Sequence, residues 1–124
     1  MHNAGVTFVL DRAGITGDDG PSHHGIWDLA LTGIVPNMRV GAPRDGARLK
    51  EILRGCVEIT NAPSMVRFPK GAVPADIPAL ERVSGVDVLH RGASKKVLLI
   101  SVGAMAGMAL EVAQLAQAQG IEIT

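Results

Sequence analysis

A glycine-rich segment near the start of the chain carries most of the side chains that could take part in chemistry. It runs from Asp11 to Asp28 and reads DRAGITGDDGPSHHGIWD. Arg12 offers a planar set of donors suited to phosphate or carboxylate. Asp19 adds a hydrogen-bond acceptor, and His23 can take up and release protons near neutral pH. These residue types predict a loop that binds an anionic ligand and handles a proton.

Two other interpretations of this segment stay open at this point. One is a solvated surface turn, because glycine patterns alone are weak signals of a binding loop. The other is a metal site, since oxygen and imidazole ligands bind divalent ions. Its ligands would be Asp18, Asp19, His23 and His24. Adjacent loop residues seldom converge on one ion, and the sequence offers no distant third ligand group, so we expect no metal site here.

The surrounding elements are those of an α/β protein with a parallel sheet. Val6 to Leu10 is a mostly apolar run that predicts a buried strand. Asp11 and Arg12 therefore fall at the carboxyl edge of a sheet, where open α/β sheets bind ligands. Further elements predicted in the first half are a short helix over 26–31, strands at 38–41 and 64–68, and a helix that follows the N-cap Asp45.

The second half of the chain changes in composition. Residues 71–78, GAVPADIP, predict an extended linker. Later elements are a short strand at 86–89, a buried strand in VLLIS (97–101), a helix over 105–119 ending at Gly120, and a strand beginning in IEIT. We expect the end of one α/β domain over 1–75, a linker over 76–95 and the beginning of another domain over 96–124. One complete small α/β domain is the alternative.

Composition excludes several classes of protein. Twelve basic and twelve acidic residues balance, so no net field favours nucleic acid or an anionic membrane. The sequence has no apolar run long enough for a transmembrane helix and no signal peptide at its start, which favours a cytoplasmic location. Cys56 is the one cysteine, so no internal disulfide forms. We expect Cys56 and Trp27 to lie in the core, although Trp27 could also stack on a ligand.

Several motifs resemble one enzyme family. The stretch GDDGPSHHG is similar to the motif of pyrimidine-binding domains in the transketolase superfamily, and the preceding DRAG is typical of the 1-deoxy-D-xylulose-5-phosphate synthases. Later segments agree with that family in order and spacing: WDLALTGIVPNMRVGAPRD, APSMVRFPKG and KKVLLISVGAMAGMALEVAQ. The resemblance covers essentially the whole chain. It implies parallel-sheet, three-layer α/β units, namely a partial transketolase-type pyrimidine-binding domain followed by the start of a transketolase C-terminal domain.

The resemblance also implies a reaction and roles for residues. The family uses thiamin diphosphate and Mg²⁺ to condense pyruvate with glyceraldehyde 3-phosphate, releasing carbon dioxide, at the entry of the non-mevalonate isoprenoid pathway. Arg12 would hold the acceptor's phosphate, Asp19 would fix its orientation, and His23 would assist proton handling near the cofactor. Lys70 stands where the family has a second phosphate-binding arginine, and it supplies charge without the planar fork. Arg67 matches a family arginine too, but it is equally expected to be structural.

The residues that bind the cofactor in this family do not occur in the sequence. The magnesium-binding glycine-aspartate-glycine motif with its asparagine, the activating glutamate and the stacking aromatic residue all belong to upstream segments. We therefore expect an acceptor-binding fragment that is inactive alone, whose full-length form would be a homodimer. The alternatives are a non-catalytic truncated paralogue or docking module, and one half of a split transketolase-type enzyme.

Overall fold

The computed structural model describes residues 4–94 and 96–124. Within these residues, five strands and three α-helices follow one another in the order β1, α1, β2, α2, β3, β4, β5 and α3. The strands are β1 (Thr7–Leu10), β2 (Arg39–Gly41), β3 (Ser64–Arg67), β4 (Glu81–Val83) and β5 (Val86–Val88). The helices are α1 (Asp28–Gly33), α2 (Gly46–Val57) and α3 (Ala106–Gln117).

The first three strands form a parallel sheet in the order β1-β3-β2. Val9 of β1 lies opposite Val66 of β3, and Val40 of β2 lies opposite Met65. The central strand β3 is the best buried, because it has a neighbour on each side. Its first three residues, Ser64–Val66, are all buried. The parallel sheet predicted from the apolar runs is confirmed.

Helix α2 covers one face of this sheet and begins where the sequence predicts. The side chain of Asp45 accepts a hydrogen bond of 2.8 Å from the backbone N–H of Arg48, which satisfies one of the free donors at the helix start. The helix buries Cys56 as expected, and the carbonyl oxygen of Cys56 accepts a 3.3 Å hydrogen bond from the Ser64 hydroxyl. The fully buried hydroxyl of Ser64 therefore has a hydrogen-bond partner.

The expectation that β1 is buried is wrong. Phe8 is 48% exposed and Val9 is 53% exposed. The reason is the strand order: β1 is at the edge of the sheet and pairs only with β3. Apolar character indicated a strand correctly, but burial depends on what packs against it.

The segment VLLIS forms much less of a strand than predicted. The backbone of Leu99 donates to the carbonyl of Thr124 at 2.9 Å, and Thr124 donates to Val97 at 3.0 Å. These bonds make a single parallel bridge between Val97 and Ile123. Leu98 and Ile100 are 70% and 74% exposed, so the expected buried strand is wrong within the described part of the chain.

A β-hairpin interrupts the predicted linker region. Strands β4 and β5 pair in antiparallel fashion around Ser84 and Gly85. Both turn residues have positive φ, 50° and 83°, as tight hairpin turns require. The strand predicted at 86–89 is present as β5, whereas β4 went unrecognised because GluArgVal is too short and too polar to predict a strand.

Arg44 and Asp45 connect the linker and the hairpin to the first sheet. The carbonyl oxygen of Ile77 accepts from Arg44 Nη2 at 2.7 Å, and the Ile77 N–H donates to Asp45 Oδ2 at 3.0 Å. Arg44 Nη1 also donates to Asp87 Oδ2 of the hairpin at 2.5 Å. Hydrogen bonds from Arg82 and Arg44 hold the pKa of Asp87 far below its usual range. The linker therefore has a defined path over the start of α2.

None of the helices among the described residues has the length and apolar character needed to cross a membrane.

Candidate active-site loop

The loop over residues 11–28 is attached to the carboxyl end of the central strand. Phe68, which follows β3, donates its N–H to the carbonyl of Leu10 at 3.0 Å. The N–H of Ala13 then donates to the carbonyl of Phe68, also at 3.0 Å. These bonds extend the pairing of β1 with β3 and bring the loop to the edge of the sheet predicted for it. Lys70 lies two residues beyond Phe68, at the same edge.

A pair of backbone hydrogen bonds closes the loop upon itself. The N–H of Gly14 donates to Gly25 at 3.0 Å, and the N–H of Gly25 donates to Gly14 at 2.8 Å. We call this pair the neck of the loop. Glycine is required on both sides: Gly14 has a φ of +84°, and a Cβ at Gly25 would overlap the carbonyl oxygen of Arg12. The residues between them form two short 3₁₀ turns, Gly17–Asp19 and Pro21–His23.

The structure brings Arg12, Asp19 and Lys70 together. Lys70 Nζ lies 2.8 Å from Oδ1 and 2.9 Å from Oδ2 of Asp19, and Arg12 Nη1 lies 3.3 Å from Oδ2. The side chains of Arg12 and Lys70 stay 48% and 46% exposed, so both can still contact a ligand. One carboxylate thus holds two cations side by side at the sheet edge.

The environment of Asp19 favours its charged form. The hydrogen bond from Lys70 is the largest cause that lowers the pKa of Asp19 below its ordinary value of 3.8. Desolvation acts in the opposite sense and is outweighed, because the positive charges of Arg12, Lys70 and His23 also lower the pKa. At neutral pH the cluster therefore contains an ionised carboxylate between cations.

His23 lies on the exposed side of the same loop. Its Nδ1 is 3.1 Å from the hydroxyl oxygen of Ser22, and either group can donate according to the tautomer. The other ring nitrogen, Nε2, makes no hydrogen bond with the described residues. Asp18 and His24, the other titratable residues of the loop, make no side-chain hydrogen bond or ion pair among the described residues.

No group of three His, Cys, Asp or Glu side chains that could hold a metal ion occurs in residues 4–94 and 96–124.

Arg67 lies at the same end of β3 but pairs with a different carboxylate. Its Nε donates to Oδ2 of Asp28 at 2.7 Å, and the two side chains are only 17% and 7% exposed. Asp28 is the first residue of α1 and the last of the loop, and its type and position did not predict a role for it. One sequence signal could have indicated this pair. Arg67 is the one charge in the apolar run SMVRF, and Asp28 is the one charge in IWDLAL. A charge that is buried with its apolar neighbours needs a partner of opposite sign.

Trp27 is not the core residue expected from its type. It is 69% exposed and precedes the first residue of α1. Because no described residue covers the ring, Trp27 lies on the surface, one residue before Asp28.

A large cleft lies away from the loop. It has a volume of about 840 Å³ and runs between α2, the hairpin and the C-terminal residues. Aliphatic side chains such as Val40, Ile52 and Leu110 form most of its lining. The charged residues of the lining are paired with one another: Arg44, Arg48, Glu51, Arg82 and Asp87. At the loop, by contrast, two half-exposed cations share one carboxylate, so the loop is the candidate site for an anionic ligand.

Comparison with known proteins shows the family. The model of the transketolase pyrimidine-binding domain matches residues 1–76. The chain belongs to the transketolase pyrimidine-binding domain family. Over its full length it is 59% identical to 1-deoxy-D-xylulose-5-phosphate synthase of Leifsonia xyli subsp. xyli and 58% identical to the synthase of Mycolicibacterium gilvum. It spans 19% and 20% of the length of these relatives.

Solved structures agree with the family assignment. A split-gene transketolase, described as an inactive β4 tetramer, superposes on 95% of this chain with a TM-score of 0.75 and 32% sequence identity. The chain covers 38% of that protein. A transketolase mutant from Pichia stipitis has the same TM-score at 22% identity, over 96% of this chain and 18% of its own. The pyrimidine-binding fold that the loop motif implied is confirmed.

Proposed function

We propose that this chain provides the acceptor-phosphate side of a 1-deoxy-D-xylulose-5-phosphate synthase active site. In that reaction pyruvate loses carbon dioxide and its remaining carbons join glyceraldehyde 3-phosphate. The observation that carries the proposal is the cluster of Arg12, Asp19 and Lys70 at the carboxyl edge of the sheet. The cytoplasmic location and the homodimeric full-length form expected from the sequence belong to the same proposal.

Arg12 and Lys70 have the positions that a phosphate-binding pair requires. Both contact the carboxylate of Asp19, so their charged groups are close enough together to contact one phosphate. About half of each side chain is also open to solvent. A phosphate dianion beside them forms charge-assisted hydrogen bonds with each, of about 1.5–3 kcal/mol apiece. Asp19 keeps the two cations together when no phosphate is bound. Its negative charge also repels a phosphate that approaches from the wrong side, and this repulsion fixes the orientation of the acceptor.

His23 is proposed to handle the proton of the condensation. It lies in the same loop as Asp19, in the 3₁₀ turn Pro21–His23, and the Ser22 hydroxyl contacts its Nδ1. Proton transfer at the acceptor's carbonyl oxygen needs a group that titrates near neutral pH, which imidazole supplies.

Thiamin diphosphate, when bound, supplies the nucleophilic carbon of such a reaction. The described residues contain no cluster suited to the magnesium ion that would hold its diphosphate. We assign no cofactor-binding residue here and derive no step through the cofactor. In this proposal the cofactor-binding residues come from sequence outside these 124 residues.

Binding of phosphorylated ligands to the chain tests the proposal. Trp27 is the one tryptophan of a sequence without tyrosine, and it lies at the end of the loop, so we expect its emission to report ligand binding. We expect saturable binding of glyceraldehyde 3-phosphate and inorganic phosphate, and much weaker binding of pyruvate. Arg12→Gln and Lys70→Gln should each weaken phosphate binding about ten- to hundredfold. Lys50→Gln, on the exposed side of α2, is the matched control and should change nothing.

Two results would contradict the proposal. One is equal affinity for pyruvate and the phosphorylated aldehyde, which would mean that the cations do not select phosphate. The other is synthesis of deoxyxylulose phosphate by the pure chain supplied with thiamin diphosphate and Mg²⁺, because no cofactor-binding residue is assigned to it.

A second candidate function is one half of a split transketolase-type enzyme, or a module that docks on a complete synthase. Exposed apolar residues on the edge strand β1 and just before it favour this function, since Val6, Phe8 and Val9 are 45%, 48% and 53% exposed. The name of the split-gene transketolase shows that this fold occurs in divided enzymes. Co-purification with a synthase polypeptide that carries the magnesium motif, followed by an activity assay, separates the possibilities. Binding with activity indicates a split enzyme, and binding without activity indicates a docking module.

A further inference from the structure

The ion pair between Arg67 and Asp28 connects two parts of the proposed site. Arg67 is the last residue of β3, and Asp28 is where the loop passes into α1. The Nε–Oδ2 distance is 2.7 Å. The carboxylate also accepts from the N–H of Leu29 at 2.9 Å through its other oxygen. Both oxygens of Asp28 are therefore used, and its side chain is only 7% exposed.

Arg67 is poorly placed to bind a phosphate itself. Its side chain is 17% exposed, compared with 48% for Arg12 and 46% for Lys70. Successive side chains of an extended segment point to opposite faces, so Arg67 and Lys70, three residues apart, are not expected to share one. A ligand would also have to displace a carboxylate that is largely removed from water, where breaking an ion pair is costly.

The two ends of the loop are attached to two adjacent residues at the carboxyl end of β3. The beginning is attached through the hydrogen bond from Ala13 to Phe68, and the end through Asp28 to Arg67. The neck between Gly14 and Gly25 joins the two ends to each other. Lys70 comes two residues after Phe68 and three residues after Arg67, in the segment that continues β3. The attachments therefore determine how far Arg12 and Asp19 lie from Lys70.

We propose that Arg67, through its ion pair with Asp28, is a positioning residue that fixes the loop so that Arg12 and Lys70 lie a phosphate's width apart. This inference rests on the proposed phosphate-binding function. It differs from that function in assigning Arg67 no contact with the ligand. Without the pair, the end of the loop is released from β3, and the neck opens more often because one of the two attachments that flank it is lost.

The first test measures the loop without any ligand. Hydrogen exchange of the Gly14 and Gly25 amides should become faster by about tenfold in Arg67→Gln and in Asp28→Asn. The emission of Trp27 should shift in both, because its neighbour changes partner. Arg67→Lys keeps a cation opposite Asp28 and should restore part of the protection. Unchanged exchange in Arg67→Gln overturns the proposal whether or not the chain binds phosphate.

The second test measures phosphate affinity at a temperature where circular dichroism shows each variant to be folded. Arg67→Gln and Asp28→Asn should each weaken the binding of inorganic phosphate by about tenfold, with Arg67→Lys in between. Arg82→Gln, which breaks an exposed ion pair in the hairpin, is the control and should leave the affinity unchanged. Loss of affinity in Arg67→Gln with full affinity in Asp28→Asn would make Arg67 a direct ligand and overturn the proposal.

The two proposals can fail separately. If the wild-type chain binds no phosphate, the proposed function fails, while the exchange measurement still decides whether Arg67 positions the loop. If phosphate binds normally to Arg67→Gln, the proposed function stands and the positioning role is overturned.

Discussion

Lys70 and Asp19, separated by 51 residues, form an ion pair in which the lysine ammonium contacts both carboxylate oxygens, at 2.8 and 2.9 Å. The pair joins the middle of the loop to the extension of β3. It is the only attachment of Asp19 to the sheet within the described part of the chain, since the other cation, Arg12, belongs to the loop itself. We expect the pair to affect both the acid dependence of stability and ligand binding, and the two effects can be measured separately.

The acid dependence of stability reports the Asp19–Lys70 pair. The folded-state pKa of Asp19 is lowered from 3.8, so its contribution is present above pH 3.8 and is lost as the pH falls through the lower, folded value. The urea midpoint of the wild type should exceed that of Lys70→Gln between about pH 7 and pH 5, and the two should converge below pH 3.8. Lys50→Gln should parallel the wild type throughout. A difference between wild type and Lys70→Gln that persists at the lowest pH would mean that Lys70 stabilises the fold by other contacts.

Replacing Lys70 by arginine tests the departure from the family pattern. An arginine presents two parallel N–H donors to a phosphate, whereas lysine acts as a compact charge. Lys70→Arg should therefore bind glyceraldehyde 3-phosphate and inorganic phosphate more tightly than the wild type, by up to about tenfold. The measurement is the same Trp27 titration, with Lys50→Arg as the matched control. Weaker binding in Lys70→Arg would show that the site has adapted its geometry to lysine.

Local sequence patterns were sufficient to predict the elements that carry the site. The apolar runs at β1 and β3, the N-cap Asp45 and the glycine-rich loop all lie where they were predicted. Parallel strands place their carboxyl ends at one edge, so the proximity of Arg12 to Lys70 followed from the topology. That Arg12 and Lys70 both pair with Asp19 could not be predicted, because a pattern of residue types does not contain the distances between side chains.

The same local patterns could not predict which side chains are buried or which distant residues pair. Phe8 and Trp27 look like core residues by type, yet they are 48% and 69% exposed because nothing among the described residues packs on them. The Arg67–Asp28 pair spans 39 residues, and sequence spacing alone does not select a partner at that distance. The hairpin was missed for a local reason, since Ser84-Gly85 is a weaker turn signal than Asn-Gly.

Gly25 is predicted to be indispensable to the neck. A Cβ there would overlap the carbonyl oxygen of Arg12, which is backbone and cannot move without displacing the start of the loop. Gly25→Ala should lower the free energy of unfolding by about 1–3 kcal/mol and weaken phosphate binding. The matched control is Gly55→Ala in α2, where a Cβ would meet nothing within 4 Å. That variant should raise the free energy of unfolding by about 0.5–1 kcal/mol, because alanine favours the helix. A loss of stability in both variants would mean that the cost at Gly25 is not specific to the neck.

Asp45 is predicted to stabilise both the start of α2 and the path of the linker. Burial raises its pKa, but the hydrogen bonds from the backbone of Arg48 and Ile77 and the charge of Arg44 outweigh burial, and the net pKa is lowered. Asp45→Ala removes the helix cap and should cost about 1–2 kcal/mol of unfolding free energy. Limited proteolysis should also become faster within residues 71–78, because the bond to Ile77 is lost. Asp45→Asn keeps an oxygen acceptor for the cap and should cost less. If denaturant unfolding shows equal losses in the two variants, the charge pairing with Arg44 and the hydrogen bond from Ile77 outweigh capping. The single oxygen of the asparagine can keep the hydrogen bond from Arg48, but the variant loses the charge and the acceptor for the Ile77 N–H.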